Sequence, residues 1–388
     1  MPETKDALSD VRVVEFGGYA AGPAIGKYLA NFGARVVHVE SEQRPDGFRL
    51  QYPPFKDDKV GINRSGCFSY FNDSKYGVTI DLKSDHGIAM ALRLTDWADI
   101  VIENMRPGVM DRLGLGHQRL CDRNPELVML STSNMGQSGP YSTHPGFGSQ
   151  LSSLSGFTEL IGESDGPPNL LYGPYIDLIA VAYGGAAVLA ALDCRRRTGK
   201  GVHIDLSQYE TGVQFIAPAL LDFAENGKIA HRNGNHDPAA VVHGCYPCRN
   251  SQWCVISCWN DDELQRFRAA TGLRDLDNEA IAGWTRDQNA RDVMNLLQGH
   301  GVHAACVNTM ADLFSDPQLE ARNIWQEMDH PEIGPQRYRM VAYQLSETPG
   351  RVRRGAPCLG EDNEEVLTRW LDLNEGVAVR RAATQRRK

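Results

Sequence analysis

Residues 11–40 read VRVVEFGGYAAGPAIGKYLANFGARVVHVE, and their pattern decides the fold. Val11–Phe16 and Arg35–Glu40 are apolar runs of strand length, while the segment from about Pro23 to Phe32 has helical spacing. Gly33 suits a helix stop, because glycine enters the left-handed conformation without strain. Strand, helix and strand in succession make a βαβ unit. The pattern continues in Gly77–Leu82, Asp99–Asn104, Leu127–Thr132 and Val202–Leu206, with helical patterns between most of them. Short apolar strands alternating with helices indicate an α/β fold with a mostly parallel sheet covered on both faces.

The turn after the first run carries Gly17, Gly18 and Gly22, which is not the G-x-G-x-x-G spacing. As a nucleotide signature it is weak, and a tight strand-to-helix turn explains it as well. A long apolar helix is expected from about Tyr175 to Arg195, its terminal Arg195, Arg196 and Arg197 suiting the helix dipole. Ser207 can cap a helix running toward Asn226 and Gly227. A second region covers about 228–327, with a strand near 252–258 and helices near 261–271 and 286–298. From 328 to 375 a loop rich in Pro and Gly leads to a helix of Glu364–Leu373 type. Arg380–Lys388 read as a basic, solvated tail.

With 388 residues the chain holds two or three domains, and 41% hydrophobic with 23% charged residues is an ordinary globular balance. A net charge of −9 disfavours a dedicated nucleic-acid binder but allows a locally basic pocket for an anion. No 18-residue apolar run stands out, so no membrane helix is expected. Met1–Asp10 lack the basic and apolar regions of a signal peptide, which places the chain in the cytoplasm with its nine cysteines as thiols. Cys245, Cys248, Cys254 and Cys258 invite a zinc reading. Cys254 and Cys258 on a strand, however, stand about 13 Å apart, too far for one tetrahedral ion. No metal site is expected, and His231, His236 and His243 read as loop residues. H-E-x-x-H and G-x-S-x-G motifs are absent.

Asp177 is the informative residue. The Gly173-Pro174 turn leads it into a helix that is otherwise apolar and holds Gly184 and Gly185. From residue types alone it reads first as a capping aspartate, which satisfies orphan amides. The same geometry serves a nucleophile, because amides and the helix dipole keep a carboxylate ionised while one oxygen faces a pocket.

Several segments, in order along the chain, carry a resemblance. Leu29–Glu40 resembles a "LADLGA-VIKVE" pattern, with His38 where a lysine is usual. Asn72-Asp73-Ser74-Lys75 with Ile80–Lys83 resembles "N-x-x-K … LDLK", and Glu103–Gly108 with Arg112–Leu115 resembles "EN-x-x-PG … RLGL". Gly136–Pro140, Thr198–Gly201 with Asp205–Glu210, Asp316–Gln318 and Ala356–Glu361 match further motifs. Together they resemble the class III CoA-transferases, which include formyl-CoA, carnitine and benzylsuccinyl-CoA transferases and the related alpha-methylacyl-CoA racemases.

The resemblance implies that Asp177 is the catalytic aspartate and that Asn72, Lys75, Asn104, Met105 and Arg112 lie along a coenzyme A groove. Lysine and arginine can pair with phosphates, and asparagine with adenine. It also implies a large domain from 1–227 and 328–388, its sheet formed by both chain ends, a small domain at 228–327, and two interlocked subunits. The activity implied is transfer of coenzyme A from an acyl-CoA to a free carboxylic acid, through an aspartyl anhydride and an aspartyl-CoA thioester. CoA thioesters are substrates, with no permanently bound cofactor. Amides near Gly173 or Gly244 are candidates for the oxyanion.

Two departures narrow the activity. The racemases' Gly-His-Asp is matched here by Gly146-Phe147-Gly148, and Phe147 cannot exchange a proton. The glycine run of formyl-CoA transferases is matched by Pro238–Pro247. Arg232–Asn235 and His243–Pro247 look most like the benzylsuccinyl-CoA transferase branch. That likeness implies succinyl-CoA as donor, a succinate-like or aryl-substituted dicarboxylic acid as acceptor, with His243, Arg232 and Asn235 meeting its second carboxylate, and a homodimer or a heterodimer. The alternatives are a racemase, or a CoA-binding subunit whose partner does the chemistry.

Overall fold

The computed structural model describes residues 6–173 and 175–371. They divide into two compact units. One holds the described residues through Ser155, then Leu171–Ala217, and those from Ala321 on; the other holds Gly156–Leu170 and Pro218–Glu320.

The first unit is built on six parallel strands: β1 (Arg12–Phe16), β2 (Arg35–Glu40), β3 (Tyr76–Thr79), β4 (Ile100–Glu103), β5 (Val128–Ser133) and β6 (Val202–Ser207). Their order is β3-β2-β1-β4-β5-β6. All six lie between residues 12 and 207, so the sheet itself draws on one end of the chain, and the later segment packs against it. Its helices in chain order are α1 (Ala21–Asn31), α2 (Gly66–Asn72), α3 (Asp85–Trp97), α4 (Val109–Arg112), α5 (His117–Arg123), α6 (Gly148–Leu154) and α8 (Tyr175–Thr198), while α7 (Phe157–Leu160) belongs to the other unit.

Alternate strand residues feed two cores. Val13, Val36, Ile100, Ile102, Val128 and Leu130 pack with Ile25 and Leu29 of α1 and Val181 and Val188 of α8. Val14, Phe16, Val37, Val101 and Met129 pack with Leu94 of α3, Leu120 of α5, and Val366 and Leu367. Both faces are covered, which is why the strands read as continuous apolar runs. The order reverses between β1 and β4, the switch point at whose carboxyl ends ligands of such sheets bind. This dinucleotide-type order arises without the G-x-G-x-x-G spacing.

α8 corrects the sequence reading of membrane segments. Its 24 residues contain an 18-residue window of mean hydropathy 1.8, long and apolar enough to cross a bilayer by composition alone. One side of it faces the core, with Ile176, Ile179, Ala180, Val181, Val188 and Leu192 buried, and less than half of the window is buried in all. Gly184 allows α1 to approach, since a Cβ there would lie 2.5 Å from Ile25 Cδ1. The terminal arginines also do more than face a dipole. Arg195 Nη2 donates to Asp99 Oδ1 at 3.0 Å, and Asp99 also accepts the Arg12 backbone N–H at 2.9 Å. Arg196 pairs with Asp10 at 3.0 Å, and Arg197 with Asp193 at 2.9 Å.

Where a loop was expected after 328, a hairpin forms from β10 (Trp325–His330) and β11 (Gly334–Arg339); its turn is drawn in by His330 Nδ1, which accepts the N–H of Glu332. A π-helix then covers Glu364–Trp370. Just before it, Asp362 Oδ2 accepts the Gly77 N–H and Asn363 Oδ1 the Thr79 N–H, both at 2.8 Å. These side chains occupy the edge of β3 as another strand would. The end of the expected Glu364–Leu373 helix and the Arg380–Lys388 tail lie outside the described residues.

The expected helix after Ser207 is two, α9 (Gln208–Phe215) and α10 (Ala217–Asn226). Ser207 Oγ caps the first by accepting the Glu210 N–H at 3.2 Å. The second unit carries an antiparallel sheet of β7 (Val242–Pro247), β8 (Trp253–Cys258) and β9 (His303–Cys306) with α11 (Asp261–Thr271), α12 (Asn278–Arg286) and α13 (Ala290–Gly299). The segment expected as one helix near 286–298 is preceded by the unforeseen α12, and Asn289 caps α13 by accepting the Arg291 N–H. Cys254 and Cys258 are fully buried beside Ile256, Phe267 and Val293. All nine cysteines are free thiols.

Candidate active site

The chain leaves β1 through Gly17 and Gly18, directly beside the end of β4. Asn104 clamps this turn, its Oδ1 accepting the Gly18 N–H at 3.1 Å and its Nδ2 donating to Gly18 O at 2.7 Å. Gly17 has φ 128, and a Cβ there would lie 1.9 Å from Asn104 Oδ1, so only glycine fits. Tyr19 follows with φ 63, held by Asp46, whose carboxylate accepts its N–H at 3.0 Å. The Tyr19 ring meets Phe48, Tyr52 and the exposed Phe147 edge-on, at 5.3, 6.3 and 6.1 Å. The switch point thus carries a backbone turn, an amide and an aromatic cluster.

Asp177 reaches the same edge from α8. Its far end is fixed at the amino edge of the sheet by the Arg195–Asp99 pair. Eighteen residues of helix span about 27 Å, against about 20 Å for a six-residue strand. The first turn of α8 therefore overruns the carboxyl ends of the strands. Consistent with this, Ile176 touches Gly212 of α9, which follows β6: a Cβ on Gly212 would lie 2.9 Å from Ile176 Cδ1. Asp177 Oδ2 is buried with no hydrogen-bond partner among the described residues. Burial raises its pKa to about 6, against the opposing pull of its own backbone N–H. Only Oδ2 thus lacks a partner among the described residues, the carboxyl being bonded by its own backbone N–H.

The other expected residues fall into groups. Asn104, Met105 and Arg112 follow β4 at the carboxyl edge, with Arg112 exposed on α4 and Met105 half-buried. Asn72 and Lys75 are fully buried. Lys75 Nζ donates to Pro23 O at 2.7 Å and to Glu15 Oε2 and Asn72 Oδ1 at 2.9 Å, which uses its three hydrogens. Gly173 has φ 69 and an open surrounding. His243 and Gly244 lie on β7 in the second unit, where a cavity of about 610 Å³ is lined by them with Asn235, His236, Tyr246 and Asn278. His243 Nδ1 meets Asn235 O at 2.5 Å. Arg232 already pairs with Glu159 at 2.9 Å.

Two groups escaped the sequence reading. Glu103 is buried at the end of β4, accepting the Met105 N–H at 2.8 Å, and burial raises its pKa to about 7 against hydrogen bonds from Ser131 and Met105. Ser131 Oγ lies 2.9 Å from His203 Nε2, and His203 stacks on His117 at 4.5 Å. The second group is an ionic cluster around His38, whose sequence signal was charged residues inside otherwise apolar strands.

The family whose model matches residues 8–363 is described as CoA-transferase family III. The chain is 31% identical over 393 residues to the succinyl-CoA–D-citramalate CoA-transferase of Chloroflexus aurantiacus, covering 95% of each. It is 31% identical over 388 residues to the alpha subunit of succinyl-CoA–L-malate CoA-transferase from Chloroflexus aurantiacus, covering 95% of this chain and 89% of that one. A solved CAIB/BAIF family protein from Brucella suis matches with a TM-score of 0.85 and 28% identity, over 95% of this chain and 100% of that one.

Proposed function

The chain belongs to CoA-transferase family III and is a CoA-transferase; from that premise we propose that it moves coenzyme A from succinyl-CoA to a short dicarboxylic acid, with Asp177 as the covalent nucleophile. The carrying observation is the Asp177 carboxyl, largely buried on the first turn of α8, with one oxygen that has no partner among the described residues. A carboxylate raised to about pKa 6 is more basic than an ordinary one and still mostly ionised at neutral pH.

In the reaction Asp177 attacks the thioester carbonyl carbon and expels the CoA thiolate, giving a mixed anhydride. The thiolate then attacks the aspartyl carbonyl carbon, breaking its bond to the bridging oxygen and releasing succinate. The acceptor carboxylate attacks this aspartyl-CoA thioester, forming a second anhydride and freeing the thiolate again. Attack of the thiolate on the acceptor's acyl carbon yields the new CoA ester and returns Asp177 as carboxylate. The backbone amide at Gly173 is the candidate donor to the oxyanion. Asn104, Met105 and Arg112 are candidates for the CoA groove, with Asn72 and Lys75 shaping its floor. His243, Gly244 and Asn235 remain candidates for meeting the acceptor.

Malate and citramalate, the acceptors in the relatives' names, favour a short aliphatic dicarboxylate over an aryl-substituted succinate. Phe147, packed against Tyr19, leaves no acid–base group where a racemase would need one. A dimer is part of the proposal: Tyr175, Leu178, Tyr183, Leu189 and Phe215 are exposed apolar residues of α8 and α9. One relative is a subunit of a heteromer, so either a second copy or a related chain can cover them. Nine free thiols suit the reducing cytoplasm. The experiment is incubation of the purified chain with succinyl-CoA and malate, citramalate, glutarate or an aryl succinate, reading new CoA esters by mass spectrometry. A folded chain that forms none of them, alone or with a related subunit, overturns the reading.

A further inference from the structure

Beneath the Gly17–Tyr19 turn lies a buried ionic cluster that no step above employs. Glu15 and His38 are register partners on β1 and β2, and Glu40 shares their face. His38 is fully buried, its Nδ1 3.0 Å from Glu15 Oε2; its Nε2 makes no hydrogen bond among the described residues but lies at ion-pair distance, 3.5 Å, from Asp46 Oδ2. Of the neighbouring cations, Lys75 shares Glu15 Oε2 with His38 at 2.9 Å and adds its charge toward Asp46, while Arg49 pairs with Glu40 at 2.7 Å and Lys27 with Asp73 at 2.5 Å. Among the described residues His38 is the cation at ion-pair distance from Asp46. From α2 the Phe68 ring closes the site at 5.9 Å.

Asp46 carries the consequence outward. Besides the Tyr19 N–H, it accepts the Phe48 N–H at 2.8 Å, and its own N–H donates to Glu40 at 2.9 Å. Tyr19 stands at φ 63, a conformation a non-glycine residue keeps only when its surroundings hold it. Resting on the CoA-transferase reading, we propose that His38 is a positioning residue: as an imidazolium it seats the Asp46 carboxylate, and Asp46 holds Tyr19, beside the Asn104-clamped Gly18, in the shape that the CoA thioester meets.

Burial disfavours the imidazolium, but Asp46 and Glu15, with Glu40 adding to them, raise its pKa to about 9. The ordinary value is about 6.5. A raised cation contributes fully below about pH 6.5, and its contribution is lost as pH rises through about 9.

The test compares wild type, His38→Gln and His38→Lys, measuring KM for succinyl-CoA and kcat separately between pH 6.5 and 9.5. Wild-type KM should stay flat to about pH 8.5 and then rise. His38→Gln should raise KM about tenfold or more at pH 7 and remove the alkaline rise, whereas His38→Lys should keep a near-native KM and move the rise higher. Partial unfolding would lower the active fraction, and so kcat, without this pattern in KM. A folded His38→Gln protein with native KM at pH 7, or a wild-type KM flat to pH 9.5, overturns the proposal. Should the variants fail to fold, the wild-type profile decides alone. A wild type that neither binds nor turns over succinyl-CoA at any pH would instead sink the CoA-transfer reading.

Discussion

Replacing Asp177 by asparagine should make the protein inactive and more stable at once. A carboxyl whose folded pKa lies above its unfolded one binds its proton more tightly in the folded chain. Its contribution to stability is therefore greatest at low pH and fades as pH rises through the folded value. For Asp177 the rise is from 3.8 to about 6, and at 1.36 kcal/mol per pKa unit this is about 3 kcal/mol at neutral pH. Asparagine has the shape of the protonated acid and caps a helix comparably, so it escapes the penalty. Urea unfolding should show Asp177→Asn more stable than wild type by up to about 3 kcal/mol at pH 7.5, narrowing to about 1.5 kcal/mol at pH 5. Turnover should fall by several orders of magnitude, because an amide forms no anhydride, while CoA binding survives. A variant no more stable than wild type at pH 7.5, or one with near-normal turnover after a check for deamidation, would refute the reasoning.

The wild-type kcat/KM should fall on the acid side with a limiting slope of one and an apparent pKa of about 6, read from a profile between pH 4.5 and 8. Asp99→Ala should destabilise the protein by about 2–3 kcal/mol in urea, since it frees both Arg12 and Arg195. Gly201→Ala should cost about 1–3 kcal/mol with kcat unchanged, because its Cβ would lie 2.0 Å from the Leu127 carbonyl oxygen, backbone just ahead of β5 that accepts the Val202 N–H and cannot easily step aside.

The sheet was legible because β1, β2, β4 and β5 are buried on both faces, and every expected run lies within a few residues of an observed strand. The order of the strands was not, since it depends on which helix crosses which face. The hairpin at 325–339 was missed because its polar alternation, Trp325-Gln326-Glu327-Met328, resembles a surface loop until a partner strand is found. α8 is legible as a helix, but its apolar window is not, because Asp177, Gly184 and Gly185 break the apolar run without adding charge beyond one carboxylate. At the site, Asp177 was legible as either cap or nucleophile, and its Oδ2, buried without a partner among the described residues, supports the nucleophile proposed above. The burial of Lys75 and the network of His38 were not legible, because a charged residue in a sequence does not announce its counter-ion.

The covering of β3 by Asp362 and Asn363 bears on how the protein is made. The last strand of the sheet ends at Ser207, yet the side chains that close the sheet's outer rim arrive more than 150 residues later. At bacterial or eukaryotic synthesis rates that interval is roughly 8–30 s. Throughout it, a nascent sheet would present β3's unpaired N–H groups and the apolar surface awaiting Val366 and Leu367, a template for pairing with other chains. Chaperone dependence should therefore concentrate in this window, and loss of only the final segment should send a nearly complete chain into aggregates during translation.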